Sequence, residues 1–185
     1  MKAGVFVSGG GTNLQSLIDA EKEGYFDSKI VLVVSDNPRA YGLVRAEKAG
    51  IRTFVTKDEK ELKERLQKEG IELILLAGYL RILSKELIRS YENRIINIHP
   101  SLLPLYGGKG MYGLYVHEAV FEKKEKYTGA TVHFVTEEID GGKIILQEKM
   151  KIDYGKIKSA EELQKEVLKI EHRIFKEAVR KVERG

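Results

Sequence analysis

The chain's 185 residues are 42% hydrophobic and 32% charged, with three prolines and no cysteine; that suits one folded core and excludes a disulfide scaffold, a thiol nucleophile and Cys-ligated metal sites. The net charge of +4 comes from 32 basic against 28 acidic residues, with Lys and Glu interleaved along helical stretches, so a solvated surface is expected rather than a nucleic-acid footprint. No stretch approaches about 18 uninterrupted apolar residues, and the apolar run at the N-terminus is too short for a signal segment, which predicts a cytoplasmic protein with neither membrane nor nucleic acid as partner.

In chain order, Ala3 to Ser8 and Lys29 to Ser35 are short runs rich in Val and Ile, and between them Leu14, Leu17 and Ile18 recur at helical spacing. A helix is predicted over Ala40 to Ala49, a strand over Ile51 to Val55, and a helix over Asp58 to Lys68 with Leu62 and Leu66 four apart. Gly50 and Gly70 stand just past two helix ends, where a left-handed residue is wanted. Ile71 to Ala77 is almost wholly apolar and predicts a strand covered on both faces. A helix at Ser84 to Ser90 and a strand at Arg94 to Ile98 complete a doubly wound, mostly parallel α/β sheet of the Rossmann-like kind. A Gly-rich stretch then leads to a short helix at Tyr115 to Lys123. Thr128 to Thr136 and Lys143 to Lys151 predict an antiparallel extension, and Ala160 to Val182 a closing amphipathic helix. One domain over residues 1–185 is expected, with a phosphate-binding half at 1–98 and a catalytic and C-terminal part at 99–185.

Three local patterns carry chemistry. Ser8-Gly9-Gly10-Gly11-Thr12-Asn13 lies between the first strand and first helix, where backbone N–H groups converge on an anion. It lacks the third glycine of the dinucleotide fingerprint and the Lys of a P-loop; its alternative is a tight turn with Thr12 or Asn13 as helix N-cap. Asn97 and His99 are two apart on a strand and so share a face at its carboxyl end. An amide donor beside an imidazole suits a tetrahedral oxyanion, although a lone strand-end His is also often structural. Asp140-Gly141-Gly142 reads equally as turn chemistry. If Asp140 lies beside His99, its charge raises the imidazole pKa. No His and carboxylate spacing supports zinc, and no metal is expected.

Asn97-Ile98-His99-Pro100-Ser101-Leu102-Leu103-Pro104, Gly129-Ala130-Thr131-Val132-His133-Phe134-Val135 and Asp140-Gly141-Gly142 together resemble the formyltransferase family that uses 10-formyltetrahydrofolate. The likeness runs from Val5 to about Phe175. The resemblance implies that Asn97, His99 and Asp140 form the catalytic group, and the string from Ser8 to Gln15 narrows the implied acceptor to glycinamide ribonucleotide. Gly11, Thr12 and Asn13 would hold its phosphate, and Glu171, otherwise an ordinary exposed helix Glu, would meet its glycinamide ribose portion. Leu80-Arg81-Ile82-Leu83, with Asn97, would receive the folate. The implied reaction is direct formyl transfer in purine synthesis, by a monomer or homodimer. No Arg matches the family's contact to the folate glutamate tail, and Lys60 is the nearest substitute. His133 is expected as a supporting group near the site, and His117 and His172 as structural or solvated. Tyr106-Gly107-Gly108-Lys109-Gly110 departs from the family's usual string and is mobile by composition.

Related enzymes hydrolyse the formyl folate or formylate aminoacyl-tRNA or sugar nucleotides. The chain's length and glycine loop favour a small phosphorylated acceptor. A non-catalytic folate- or nucleotide-binding module remains as an alternative from a different class.

Overall fold

A computed structural model describes all 185 residues. One sheet contains β1 (Lys2–Val7), β2 (Lys29–Ser35), β3 (Arg52–Val55), β4 (Leu73–Leu76), β5 (Ile95–His99), β6 (Tyr127–Phe134) and β7 (Ile144–Lys151), in the order β3-β2-β1-β4-β5-β6-β7. The first five strands are parallel, while β6 runs antiparallel to β5 and β7 antiparallel to β6. The chain winds outward from β1 to β3 and returns on the other side at β4. That reversal opens a crevice at the carboxyl ends of β1 and β4, where open α/β sheets bind ligands.

Strand alternation sorts the core into two layers. Val5 and Val7 of β1, Leu73 and Leu75 of β4, and Ile96 and Ile98 of β5 pack with α1 (Thr12–Lys22), α2 (Tyr41–Lys48), α5 (Leu114–Glu122) and α6 (Ala160–Arg184). Phe6, Ile74, Leu76 and Ile95 point the other way, against α3 (Glu59–Glu69) and α4 (Lys85–Ser90). Both faces of the central strands are therefore apolar, as a covered parallel sheet requires. Truncating Leu75, which is fully buried, to Ala costs about 2 to 5 kcal/mol. On α6, Leu163, Val167, Ile170, Ile174 and Ala178 form the buried stripe expected from the sequence.

The predicted strand at Ile71 to Ala77 shortens to β4, because Ile71 donates its N–H to Leu66 and closes the end of α3. Its buried side chain completes the turn after Gly70, which is left-handed at φ 67°. Gly50 likewise follows α2 at φ 74°. No helix is long and apolar enough to cross a membrane.

Candidate active site

The loops after β1, β4 and β5 meet the segment between β6 and β7 around a cleft of about 720 Å³. Gly9 to Asn13, Leu80 to Leu83, Asn97, His99, His133 and Asp140 all line it. Residues far apart in sequence are gathered by the sheet order, since β1, β4, β5 and β6 are consecutive neighbours.

On the β1 side the helix N-cap is Gly11, left-handed at φ 71°, and no side chain caps α1. The alternative in which Thr12 or Asn13 caps the helix is thus corrected: a Cβ at position 11 would stand 2.6 Å from Gly42 Cα, so only glycine lets the loop seat on α2. The N–H groups of Gly9 to Asn13 take no part in the protein's own hydrogen bonds. Converging free N–H groups at a helix N-terminus suit an anion. Arg45 steadies the loop by donating Nε–H to the Gly10 carbonyl at 2.7 Å.

Glu171 is not an exposed helix Glu, being only 7% exposed. It stands behind the cleft wall and accepts from Asn13 Nδ2 at 3.0 Å. Burial pushes its carboxyl up to about 7 against the lowering effect of that hydrogen bond.

On the β4 side, Leu80 and Ile82 are 56% and 70% exposed, and the N–H groups of Arg81, Ile82 and Leu83 are likewise free of protein partners. Apolar side chains beside unused backbone donors fit a flat heterocycle with a polar edge. Ser8 ties this segment to the glycine loop: its Oγ accepts from Leu80 N at 2.9 Å and donates to Asp36 at 2.7 Å. Lys60 is exposed on α3 and does not line the cleft.

On the β5 and β6 side, Asn97 pairs in register with His133. His133 Nδ1 lies 2.9 Å from the Phe134 carbonyl and must donate there, so Nε2 accepts from Asn97 Nδ2 at 3.1 Å. The second amide hydrogen of Asn97 remains available. His99 Nε2 donates to the Tyr106 carbonyl at 2.9 Å, leaving Nδ1 3.8 Å from Asp140 Oδ1. Asp140 Oδ1 also stands 3.6 Å from His133 Nε2, and Oδ2 accepts from Gly108 N at 2.9 Å. Although burial pushes the Asp140 carboxyl up, the His133 and His99 imidazoles beside it and the Gly108 N–H hold it below the ordinary value.

The expected rise of the His99 pKa is not found. Burial lowers it, and outweighs the raising effects of Asp140 and the Tyr106 carbonyl. The resting imidazole is therefore neutral at pH 7, with its proton on Nε2. His117 and His172 lie outside the cleft wall; His117 is buried, which pushes it down to about 4.

With this geometry in place, residues 1–179 match the formyl transferase family. The chain belongs to that family. A phosphoribosylglycinamide formyltransferase of Escherichia coli is 37% identical over 180 residues, covering 92% of this chain and 82% of that protein. The chloroplastic phosphoribosylglycinamide formyltransferase of Arabidopsis thaliana is 39% identical over 188 residues, covering 96% of this chain; the chain spans 64% of that protein's length. The solved glycinamide ribonucleotide transformylase 1 of Symbiobacterium toebii superposes with a TM-score of 0.89 at 39% identity, over 97% of this chain and 86% of that one.

Sequence reasoning missed several parts of this family member's cleft. Lys109, Tyr112, Gln164 and Glu137 to Ile139 also line it. Gln164 carries no signal in sequence, since a polar residue at the edge of the α6 stripe looks like any solvated one. The start of the Gly-rich loop is anchored by three hydrogen bonds. Ser101 Oγ donates to the Leu105 carbonyl at 2.6 Å, His99 to that of Tyr106, and Gly108 donates to Asp140.

Proposed function

We propose that this chain transfers the formyl group of 10-formyltetrahydrofolate to the amine of 5'-phosphoribosylglycinamide, giving formylglycinamide ribonucleotide and tetrahydrofolate in purine synthesis. One observation carries the reading: a glycine loop with free N–H groups and an Asn-His-Asp acid–base group open into the same cleft. The phosphate of the acceptor is held at Gly11, Thr12 and Asn13, with Glu171 acting on the acceptor side through Asn13. Leu80-Arg81-Ile82-Leu83 and Asn97 receive the folate. Residues 1–98 supply the phosphate-binding half of one formyltransferase domain and 99–185 the catalytic part.

In this mechanism the acceptor's amine attacks the formyl carbon and the carbonyl electron pair moves onto oxygen. The free amide hydrogen of Asn97 stabilises that oxyanion. His99 Nδ1, unprotonated at rest, takes the proton from the attacking nitrogen, and the imidazolium formed is stabilised by Asp140. The proton then passes to the departing folate nitrogen as the carbon–nitrogen bond breaks and the carbonyl re-forms. With no cysteine and no Ser dyad, transfer is direct rather than through a formyl-enzyme.

The test is incubation with phosphoribosylglycinamide and a 10-formyl folate, following the deformylated folate by absorbance. Acceptor-dependent turnover is expected. Turnover without acceptor would identify a hydrolase, and binding of both ligands without turnover would identify a binding module; either outcome overturns the proposal.

A further inference from the structure

Tyr106 sits in the left-handed region at φ 55°, a conformation that costs a non-glycine residue about 1 to 2 kcal/mol and persists only where its surroundings hold it. What holds it lies outside the cleft. Its phenol donates to Glu125 Oε1 at 2.5 Å, and Lys123 Nζ stands 5.1 Å from the ring centroid. Glu125 is itself fixed in the turn between α5 and β6: its N–H donates to Val120, and its carbonyl accepts from the Tyr154 hydroxyl at 2.7 Å. Burial and the Glu125 carboxylate push the Tyr106 phenol up to about 12, so it stays a donor across the working pH range. The next residue is closely packed as well, since a Cβ on Gly107 would stand 2.5 Å from Leu103 Cδ2 and displace that side chain. The far end of Tyr106 is thus pinned to the protein body while its carbonyl receives the His99 Nε2 proton.

We propose that Tyr106 and Glu125 form a positioning clamp that selects the tautomer of His99, keeping the proton on Nε2 so that Nδ1 is the nitrogen that moves protons in the reaction. A neutral imidazole has one N–H and one lone pair, and the hydrogen bond made by one nitrogen decides the role of the other. Left to its other neighbours, His99 would favour the opposite arrangement, because the Asp140 carboxylate 3.8 Å from Nδ1 attracts a proton there. A proton on Nδ1 would leave the Tyr106 carbonyl without a donor and point the basic nitrogen away from Asp140. The clamp opposes this by holding an acceptor at Nε2. The titratable groups around His99 are Asp140, His133 and His117; the clamp adds a neutral carbonyl to that set and no charge.

The inference rests on the proposed function only for its kinetic readout. The tautomer itself is read without substrates, from long-range proton–nitrogen NMR of the 15N-labelled full chain, with His99 assigned by its loss in His99→Ala. In the wild-type protein His99 is expected as the Nε2–H form. Tyr106→Phe, which removes only the hydroxyl, should give a mixture of both forms. It should lower kcat by about tenfold, leave both KM values within about twofold, and move the acid limb of kcat to lower pH, because a carbonyl contact that raises the His99 pKa is loosened. Glu125→Gln keeps an acceptor for the phenol and should restore wild-type behaviour, whereas Glu125→Ala should match Tyr106→Phe and replaces it if that variant does not fold. An Nδ1–H form in the wild type, or an unchanged tautomer and pH profile in the variant that folds, overturns the clamp. A different acceptor would change the assay and leave the spectrum as it is.

Discussion

The two sides of the cleft, built on β1 and β4 and on β5 and β6, furnish it with different atoms. Strands β1 and β4 deliver backbone: the N–H groups of Gly9 to Asn13 and of Arg81 to Leu83, all free of internal partners. Strands β5 and β6 deliver side chains: Asn97, His99 and His133, with Asp140 from the loop beyond. A backbone site tolerates side-chain truncation and fails when a Cβ or a forbidden φ moves the chain. A side-chain site does the opposite. The β1 and β4 side suits recognition of anions and flat edges; the β5 and β6 side suits proton traffic, which needs titratable groups.

The largest break in this comparison is expected from His99→Ala. It should cut kcat by about a thousandfold while acceptor KM stays within a few-fold, measured by steady-state kinetics; a large KM change with kcat preserved would place His99 in binding instead. The wild-type profile sharpens the point. Burial lowers the His99 pKa, so Nδ1 stays available through neutrality, and activity should fall only as pH drops below the ordinary imidazole value near 6.5.

Glu171→Gln probes the seam between the halves, where a carboxylate supports the backbone loop. Its folded pKa of about 7 lies above the 4.5 of the unfolded chain. The native state thus binds more protons between those values, and stability is lost as pH rises through them. At pH 8 the ionised, buried carboxylate costs the fold about 3 kcal/mol. The amide variant should therefore melt higher than wild type at pH 8 and nearly equal to it at pH 4; calorimetry showing equal melting at both would refute the buried-acid assignment.

Gly11→Ala should raise acceptor KM by about tenfold or more with kcat at saturation mostly kept, because φ 71° and the contact with Gly42 forbid the methyl group. The smallest effect is expected at the next residue. No side chain caps α1, so Thr12→Ala should change acceptor KM by no more than about twofold. If Thr12→Ala were the more damaging of the two, the loop would be recognising through side chains after all.

The side-chain half was the easier to see in sequence. Asn97 and His99 follow from strand alternation, a rule local to three residues. Asp140 does not, because its place beside His99 depends on the β5–β6–β7 register and on the Gly108 N–H that receives it. Glu171 looked exposed because a Glu on a helix usually is; its burial comes from the meeting of α6 with α1, a tertiary fact. The glycines after Tyr106 read in sequence only as a composition, which gives no sign that Gly107 packs closely on the Leu103 side chain while Gly108 and Gly110 face open space. Least legible of all is the Tyr106 carbonyl, since every residue has one and sequence gives no sign of which will be used.

The interlock at the foot of the glycine loop has a bearing on how this sequence can drift or be redesigned. Gly11 would strike Gly42, and Gly42 would strike Val7 at 2.9 Å, if either gained a Cβ. In any mutational library Gly11 is therefore fixed by itself, because its left-handed φ and the Gly42 backbone leave no partner side chain to trim, whereas a residue larger than glycine at 42 becomes tolerable only with a smaller one at 7.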